Sequence, residues 1–249
     1  MTTNSKRNTA VEGSAYQAAK AAVASGNSLF QKKKFGEARL AYVKAIGIYT
    51  KLAEKGNLDD YLKELAPLCH KLADTCGMEN NLEGAVDSLI LARELYGRLV
   101  DEDPMYFINL VHVHGQLGIT YHCMARYNDA EEEYFLSKAF CTELKSEDPI
   151  SYIANSADIC RCLGELYCDM GRYSDAEAEY LQEIELGKQL VKLAPQVILP
   201  IFAEIYSHIA QLYRVQGRVK DAAMMTAKAQ EILEEAATLD ADDLDSVNS

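Results

Sequence analysis

The stretch Leu163 to Tyr180 reads LGELYCDMGRYSDAEAEY. A glycine (Gly164), an aromatic three residues on (Tyr167), a second glycine (Gly171), Tyr173, Ala176 and Tyr180 fall at spacings that suit two helices joined by a tight turn at Gly171 and Arg172. Gly164 carries no side chain where the second helix must approach, and Ala176 answers it from that helix. Tyr167, Tyr173 and Tyr180 are left to fill the wedge around this close contact.

The pattern returns along most of the chain. LGITYHCMARYNDAEEEYFLSKA places Gly118, Tyr121, Ala125, Tyr127, Ala130 and Tyr134, and GNSLFQKKKFGEARLAYVKA places Gly26, Leu29, Phe35, Ala38, Tyr42 and Ala45. Weaker copies run through Ala73, Cys76, Leu82, Ala85, Leu89 and Ala92, and through Ala210, Tyr213, Gly217, Val219, Ala222 and Ala229. With Ala38, Ala85, Ala130, Ala176 and Ala222 as the register mark, the steps are 47, 45, 46 and 46 residues. So regular a period is the signature of a repeat architecture.

On these residues the chain resembles the tetratricopeptide repeat (TPR) family, whose helix-turn-helix units stack into a solenoid. The family's usual period is about 34 residues, so each unit here is about three helical turns longer, loosely like the repeats of kinesin light chains. The resemblance covers about Tyr16 to Leu239. It implies an all-α, right-handed α-solenoid of five antiparallel helix pairs, expected near 14–33 with 36–55, 59–77 with 81–101, 104–124 with 127–146, 149–170 with 173–193, and 196–216 with 219–239.

The rest of the sequence is consistent with that array. Pro104, Pro149 and Pro195 each lie 19 residues after a register alanine, and proline is tolerated in the first turn of a following helix. Pro67 falls inside its expected helix and should kink it or delay its start. Residues 1–13 are polar and rich in Thr, Asn and Ser, 14–239 form the five-repeat solenoid, and 240–249 are short and acidic; both ends are expected to be disordered. No apolar run reaches the length of a membrane span and MTTNSKRNTAVEGS lacks the apolar core of a signal peptide, so a cytoplasmic protein is expected. Seven cysteines, an odd number, fit reduced thiols. The net charge of −13 counts against nucleic acid and favours a partner with basic residues.

No phosphate loop, HExxH, GxSxG or dinucleotide fingerprint occurs, so the chain is read as no enzyme, with no cofactor and no metal. Cys160 with Cys162 and His112 with His114 look like ligand pairs, but residues two apart on a helix point about 200° apart. Cys69, Cys76, Cys160 and Cys162 fall on inward-facing phases, where small buried thiols explain them.

The resemblance implies that the first helices of successive pairs line a concave groove for a peptide or helix of another protein. The candidate groove residues are Lys20, Asn27, Phe30, His70, Asp74, His112, Ile119, His122, Asp158, Arg161, Glu165, Gln211 and Arg214. Some family members clamp a chaperone's C-terminal carboxylates with Lys, Asn and Arg. At those phases this chain offers only Asn27, with Val23, Lys71, His112 and Gln116 at the others, so that ligand is disfavoured. In the fourth unit Asp158, Glu165 and Asp169 ring Arg161. This is either an acidic patch for a partner's Lys or Arg, or a set of carboxylates that Arg161 merely neutralises. The expected function is a protein-interaction scaffold or adaptor. The alternative is a structural subunit that self-associates or assembles end to end through its terminal helices, since Met224, Met225, Ile232 and Leu239 cannot all face inward on one helix.

Overall fold

The computed structural model describes the backbone of residues 2–247 and the side chains of residues 12–239. Among the described residues there are ten α-helices, two short 3₁₀ turns and no strand. The helices are α1 (Thr2–Gln31), α2 (Phe35–Lys55), α3 (Leu62–Met78), α4 (Leu82–Glu102), α5 (Phe107–Cys123), α6 (Tyr127–Glu143), α7 (Pro149–Asp169), α8 (Tyr173–Val191), α9 (Pro195–Val215) and α10 (Val219–Val247). The chain divides into two compact units, Met1–Arg126 with α1–α5 and Tyr127–Ser249 with α6–α10. In the first unit α1 packs on α2 and α3 on α4, with α2 against α3 and α4 against α5. In the second α7 packs on α8 and α9 on α10, with α6 against α7 and α8 against α9.

The expected hairpins are all present as consecutive helices, with boundaries shifted by a few residues. The two chain ends differ more: α1 begins at Thr2 and α10 reaches Val247. No proline or glycine precedes Gly13 or follows Gly217, so nothing in the backbone chemistry stops either helix. Of the end segments expected to be disordered, the side chains of residues 1–11 and 240–249 lie outside the described residues. Pro67 lies inside α3, little more than a turn past its start at Leu62, and a 3₁₀ turn, Leu58–Tyr61, precedes the helix. Pro149 and Pro195 open α7 and α9, and Pro104 opens the 3₁₀ turn before α5.

Every hairpin turn uses the same backbone device. Lys33, Asn80, Ala125, Gly171 and Gly217, each five residues before a register alanine, have φ between 55° and 73°. The next residue's N–H reaches five positions back: Lys34 to Leu29, Asn81 to Cys76, Arg126 to Tyr121, Arg172 to Tyr167 and Arg218 to Tyr213, all at 2.8–3.0 Å. These are Schellman closures, which satisfy carbonyls that a helix end leaves unpaired. In the last three turns the closing arginine also stacks on the tyrosine it bonds, 4.3, 4.2 and 3.8 Å from the ring centroids of Tyr121, Tyr167 and Tyr213.

Within each unit, packing across the hairpins follows from small residues. The register alanines are 0–3 % exposed. A Cβ added at Gly26 would lie 2.5 Å from the ring of Tyr42, and one at Gly164 would lie 2.7 Å from Tyr180 Cδ1. Both rings are buried, and burying a side chain of this size contributes roughly 1.5–3 kcal/mol. The glycine is therefore a seat for a tyrosine of the second helix. Between hairpins of the second unit a glutamate acts as clasp. Glu131 on α6 accepts from Tyr167 and Arg172, and Glu177 on α8 accepts from Tyr213 and Arg218, all at 2.7–2.8 Å.

Candidate partner-binding groove

In the first unit the odd-numbered helices are tied by polar side chains. Asn27 Oδ1 accepts from the Tyr42 hydroxyl at 2.9 Å and from Lys71 Nζ at 3.0 Å, linking α1 to α2 and α3. His70 Nε2 lies 2.7 Å from Gln116 Oε1, and Gln116 Nε2 donates to Asp74 Oδ1 at 3.0 Å, linking α3 to α5. Phe30 packs edge-on against Phe35, with ring centroids 5.3 Å apart. Asn27, Phe30 and Asp74, joined by Gln31, Tyr42 and Lys71, line a hollow of about 330 Å³. The polar atoms of Asn27, Tyr42 and Lys71 satisfy one another there. Lys20 is exposed and lies over the ring of Tyr16, while His112 and Ile119 are exposed and His122 is half-buried on α5.

The second unit holds a different kind of cavity, of about 200 Å³, between α7, α8 and α9. Its apolar wall is Leu190 from α8 and Ile198, Ile201, Phe202 and Ile205 from α9. Gly187 makes part of the lining, and a Cβ there would lie 2.6 Å from the Phe202 ring, so the ring packs against the bare backbone. The polar side chains lining it are Asp158 and Arg161 from α7, Glu183 from α8, and Glu204 and His208 from α9. Arg161 donates to Glu165 Oε1 at 3.0 Å and lies 3.7 Å from Asp158 Oδ1, both on its own helix. Both pairs lie within α7, so they engage Arg161 with carboxylates of its own helix rather than with the buried carboxyl of α8.

That carboxyl is Glu183. It is 4 % exposed, and its Oε2 has no hydrogen-bond partner; Nδ1 of His208 is likewise buried and unpartnered. Burial raises the Glu183 carboxyl to about 8, against a pull downward from Arg161 and a further push upward from Asp158 and Glu165. Unpartnered buried polar atoms cost about 1–3 kcal/mol each, so a fold that carries two in one cavity has a feature its packing does not explain.

Of the remaining candidates, Gln211 and Arg214 are exposed on α9. Arg214 turns away to α10, donating to Thr226 Oγ1 at 2.8 Å. All seven cysteines are free, with Cys69, Cys76, Cys141, Cys160 and Cys162 buried. Among the described residues no three His, Cys, Asp or Glu side chains are placed to share a metal, and no helix is long and apolar enough to cross a membrane.

No family model matches the chain, and no curated protein matches it in sequence. Solved structures do match in shape. A Podosopora anserina putative kinesin light chain with nearly identical TPR-like repeats superposes with a TM-score of 0.59 at 17 % identity, over 88 % of this chain and 96 % of that one. BtubC from P. vanneervenii gives 0.58 at 14 % identity, over 90 % and 91 %, and MamA gives 0.51 at 19 %, over 86 % and 96 %. The fold is TPR-like. At these identities the likeness speaks for architecture and leaves the site to be argued from the residues.

The TPR-like register also shows where the sequence reading missed the site. Seven residues past the register alanines stand Ala45, Ala92, Ser137, Glu183 and Ala229, all buried; one glutamate among small residues marks the fourth repeat. Eleven residues past stand Tyr49, Tyr96, Cys141, Gly187 and Leu233, so a glycine replaces a large side chain in that repeat and leaves the cavity. The partners Lys71, Gln116 and His208 share one phase, two residues before the small packing residue, next to the phases chosen for the groove.

Proposed function

We propose that the chain is a cytoplasmic protein-interaction scaffold or adaptor that lays a peptide or helix of a partner across α7 and α9, with the cavity over α8 as its anchor point. One observation carries this reading. The cavity of the second unit is apolar-walled and holds two buried polar atoms without partners, whereas the polar groups of the first unit's hollow bond to one another. An extended segment or helix that fills such a cavity with one side chain gains affinity from a preorganised surface. Ile201 and Val197, 56 % and 68 % exposed one turn apart on α9, extend the apolar rim over which that segment would lie.

Assembly through the terminal helix has less in its favour. On α10 the exposed apolar side chains Val219, Met224 and Leu233 make no continuous patch: Met224 lies about half a turn round the helix from Leu233, and Val219 stands about four turns along the axis from it. Between them lies the surface pair Lys228–Glu231.

The test is selection of a displayed random-peptide library on the intact chain, followed by affinity measurement on an Ile201→Ser variant. Selected peptides should lose about tenfold in affinity when the rim is trimmed. Failure to enrich any peptide, or undiminished binding to the variant, would remove the reading.

A further inference from the structure

The cavity between α7, α8 and α9 is small. At about 200 Å³ it lies below the roughly 300–1,000 Å³ typical of cofactor and small-molecule sites, and suits one side chain. Three carboxyl groups, Asp158, Glu183 and Glu204, line the cavity beside one guanidinium, Arg161, whose bonds go to Asp158 and to Glu165 on its own helix. Glu183, 96 % buried by its 4 % exposure, presents an acceptor that nothing in the fold satisfies. His208, its ring 6.0 Å from that of Tyr180, also lines the cavity, and its Nδ1 is buried without a partner.

We infer that this cavity receives a basic side chain, arginine in the first place, from a partner segment, its alkyl stem against Leu190, Ile198 and Phe202 and its cationic head at Glu183. The inference rests on the reading of this face as a partner groove and specifies what the groove selects. A guanidinium brings several N–H donors on a rigid plane and no acceptor. It can therefore donate to Glu183 through more than one N–H while asking for no acceptor bond in return. The long alkyl stem matches an apolar wall with a charge at its far end. An incoming carboxylate would meet the excess of acidic groups, and a purely apolar side chain would leave the buried Glu183 acceptor orphaned.

The arrangement couples binding to a proton. Glu183 is faced by Asp158, Arg161, Glu165 and the Cys160 thiol on α7, by Tyr180 on its own helix, and by Glu204 and His208 on α9. The free carboxyl holds its proton up to about pH 8. A cation arriving beside it favours the carboxylate, so the proton on Glu183 Oε leaves to solvent as the N–H···O bond forms. Affinity therefore rises with pH from 6 towards 8 and levels off above.

The experiment titrates the full chain with Nα-acetyl-arginine methylamide and with its neutral isostere Nα-acetyl-citrulline methylamide, following side-chain carboxyl resonances by ¹³C NMR. The Glu183 signal is assigned through Glu183→Gln, a near-isosteric change. The arginine probe should bind at least about tenfold more tightly than the citrulline probe, shift the Glu183 midpoint to below pH 6 at saturation, and lose its advantage in Glu183→Gln. Equal binding of the two probes, no binding of either, or an arginine preference that survives in Glu183→Gln overturns the inference. Peptide selection separates the two levels. Rim-dependent peptides without basic residues retain the scaffold and sink the basic anchor. An arginine probe that binds while no peptide is enriched retains the anchor and sinks the scaffold.

Discussion

Replacing Glu183 by glutamine tests the central feature of the second unit without any ligand. The carboxyl is 4 % exposed and its folded pKa is raised from 4.5 to about 8, chiefly by burial. Because the folded value lies above the unfolded one, the protein's stability is complete below about pH 4.5 and falls as pH climbs towards 8. Above that both states release the proton and the loss stays constant. The slope is about 1.4 kcal/mol per pH unit, so the buried glutamate costs about 3 kcal/mol at pH 7. Glutamine does not titrate, but its amide still leaves a buried polar group imperfectly paired, which takes back about 1 kcal/mol. The variant should be more stable than the parent by about 2 kcal/mol at pH 7 and more at pH 8, with no advantage at pH 4.5. Urea unfolding of both proteins from pH 4.5 to 9 reads this directly as a midpoint difference that widens with pH at unchanged m. Parallel midpoints across the whole range would show that Glu183 is not buried in its proton-bound form, and would refute the account of the cavity built on it.

Three further outcomes follow from the repeat geometry. Gly164→Ala should destabilise by about 1–3 kcal/mol, since its Cβ would press into the buried Tyr180 ring. Gly97→Ala, in α4 with nothing within 4 Å, should gain up to about 1 kcal/mol; thermal denaturation separates the two. Ala125 closes its hairpin at φ 57°, so Ala125→Gly should stabilise by up to about 1 kcal/mol, while Gly171→Ala, at φ 71°, should cost a similar amount. In thiol titration under native conditions the exposed Cys123 should react first. Cys69 and Cys162, buried and pushed up to about 12 and about 11 by desolvation, should react only on unfolding.

The helix pairs were legible because they rest on period and punctuation. A register alanine every 45–47 residues, and a proline at a fixed phase in three repeats, determine where helices start and which side packs. The turn device was half legible. Gly171 and Gly217, and more weakly Asn80, announce a left-handed residue, but Lys33 and Ala125 adopt the same φ without any residue signal. The hydrogen-bonded closure from the next residue holds them there. Of the residues expected on a partner groove, Asn27 and Asp74 line the hollow of the first unit, and Asp158 and Arg161 line the cavity of the second. What escaped was the second helix of each pair, because the groove was sought on first helices alone. Glu183 and Gly187 rise from α8 into the space between α7 and α9.

Why that space exists in the fourth repeat follows from two positions on α8. Where the first two repeats carry Tyr49 and Tyr96, both buried, the fourth carries Gly187, and the ring of Phe202 drops onto it from the next hairpin. The volume a tyrosine would have filled is therefore divided: part goes to Phe202 and part remains as cavity. Seven residues past the register mark, the position that holds alanine or serine in the other repeats holds Glu183, one turn of α8 from the glycine. A glutamate at that phase beside a tyrosine would be forced against an aromatic ring in a closed seam; beside glycine it faces an opening. The two substitutions make physical sense only together. Each alone weakens a seam that the first three repeats keep packed with Ala45 and Tyr49, Ala92 and Tyr96, and Ser137 and Cys141. A repeat array tolerates such a pair because each hairpin contacts only its neighbours, so the cost stays local to α7, α8 and α9.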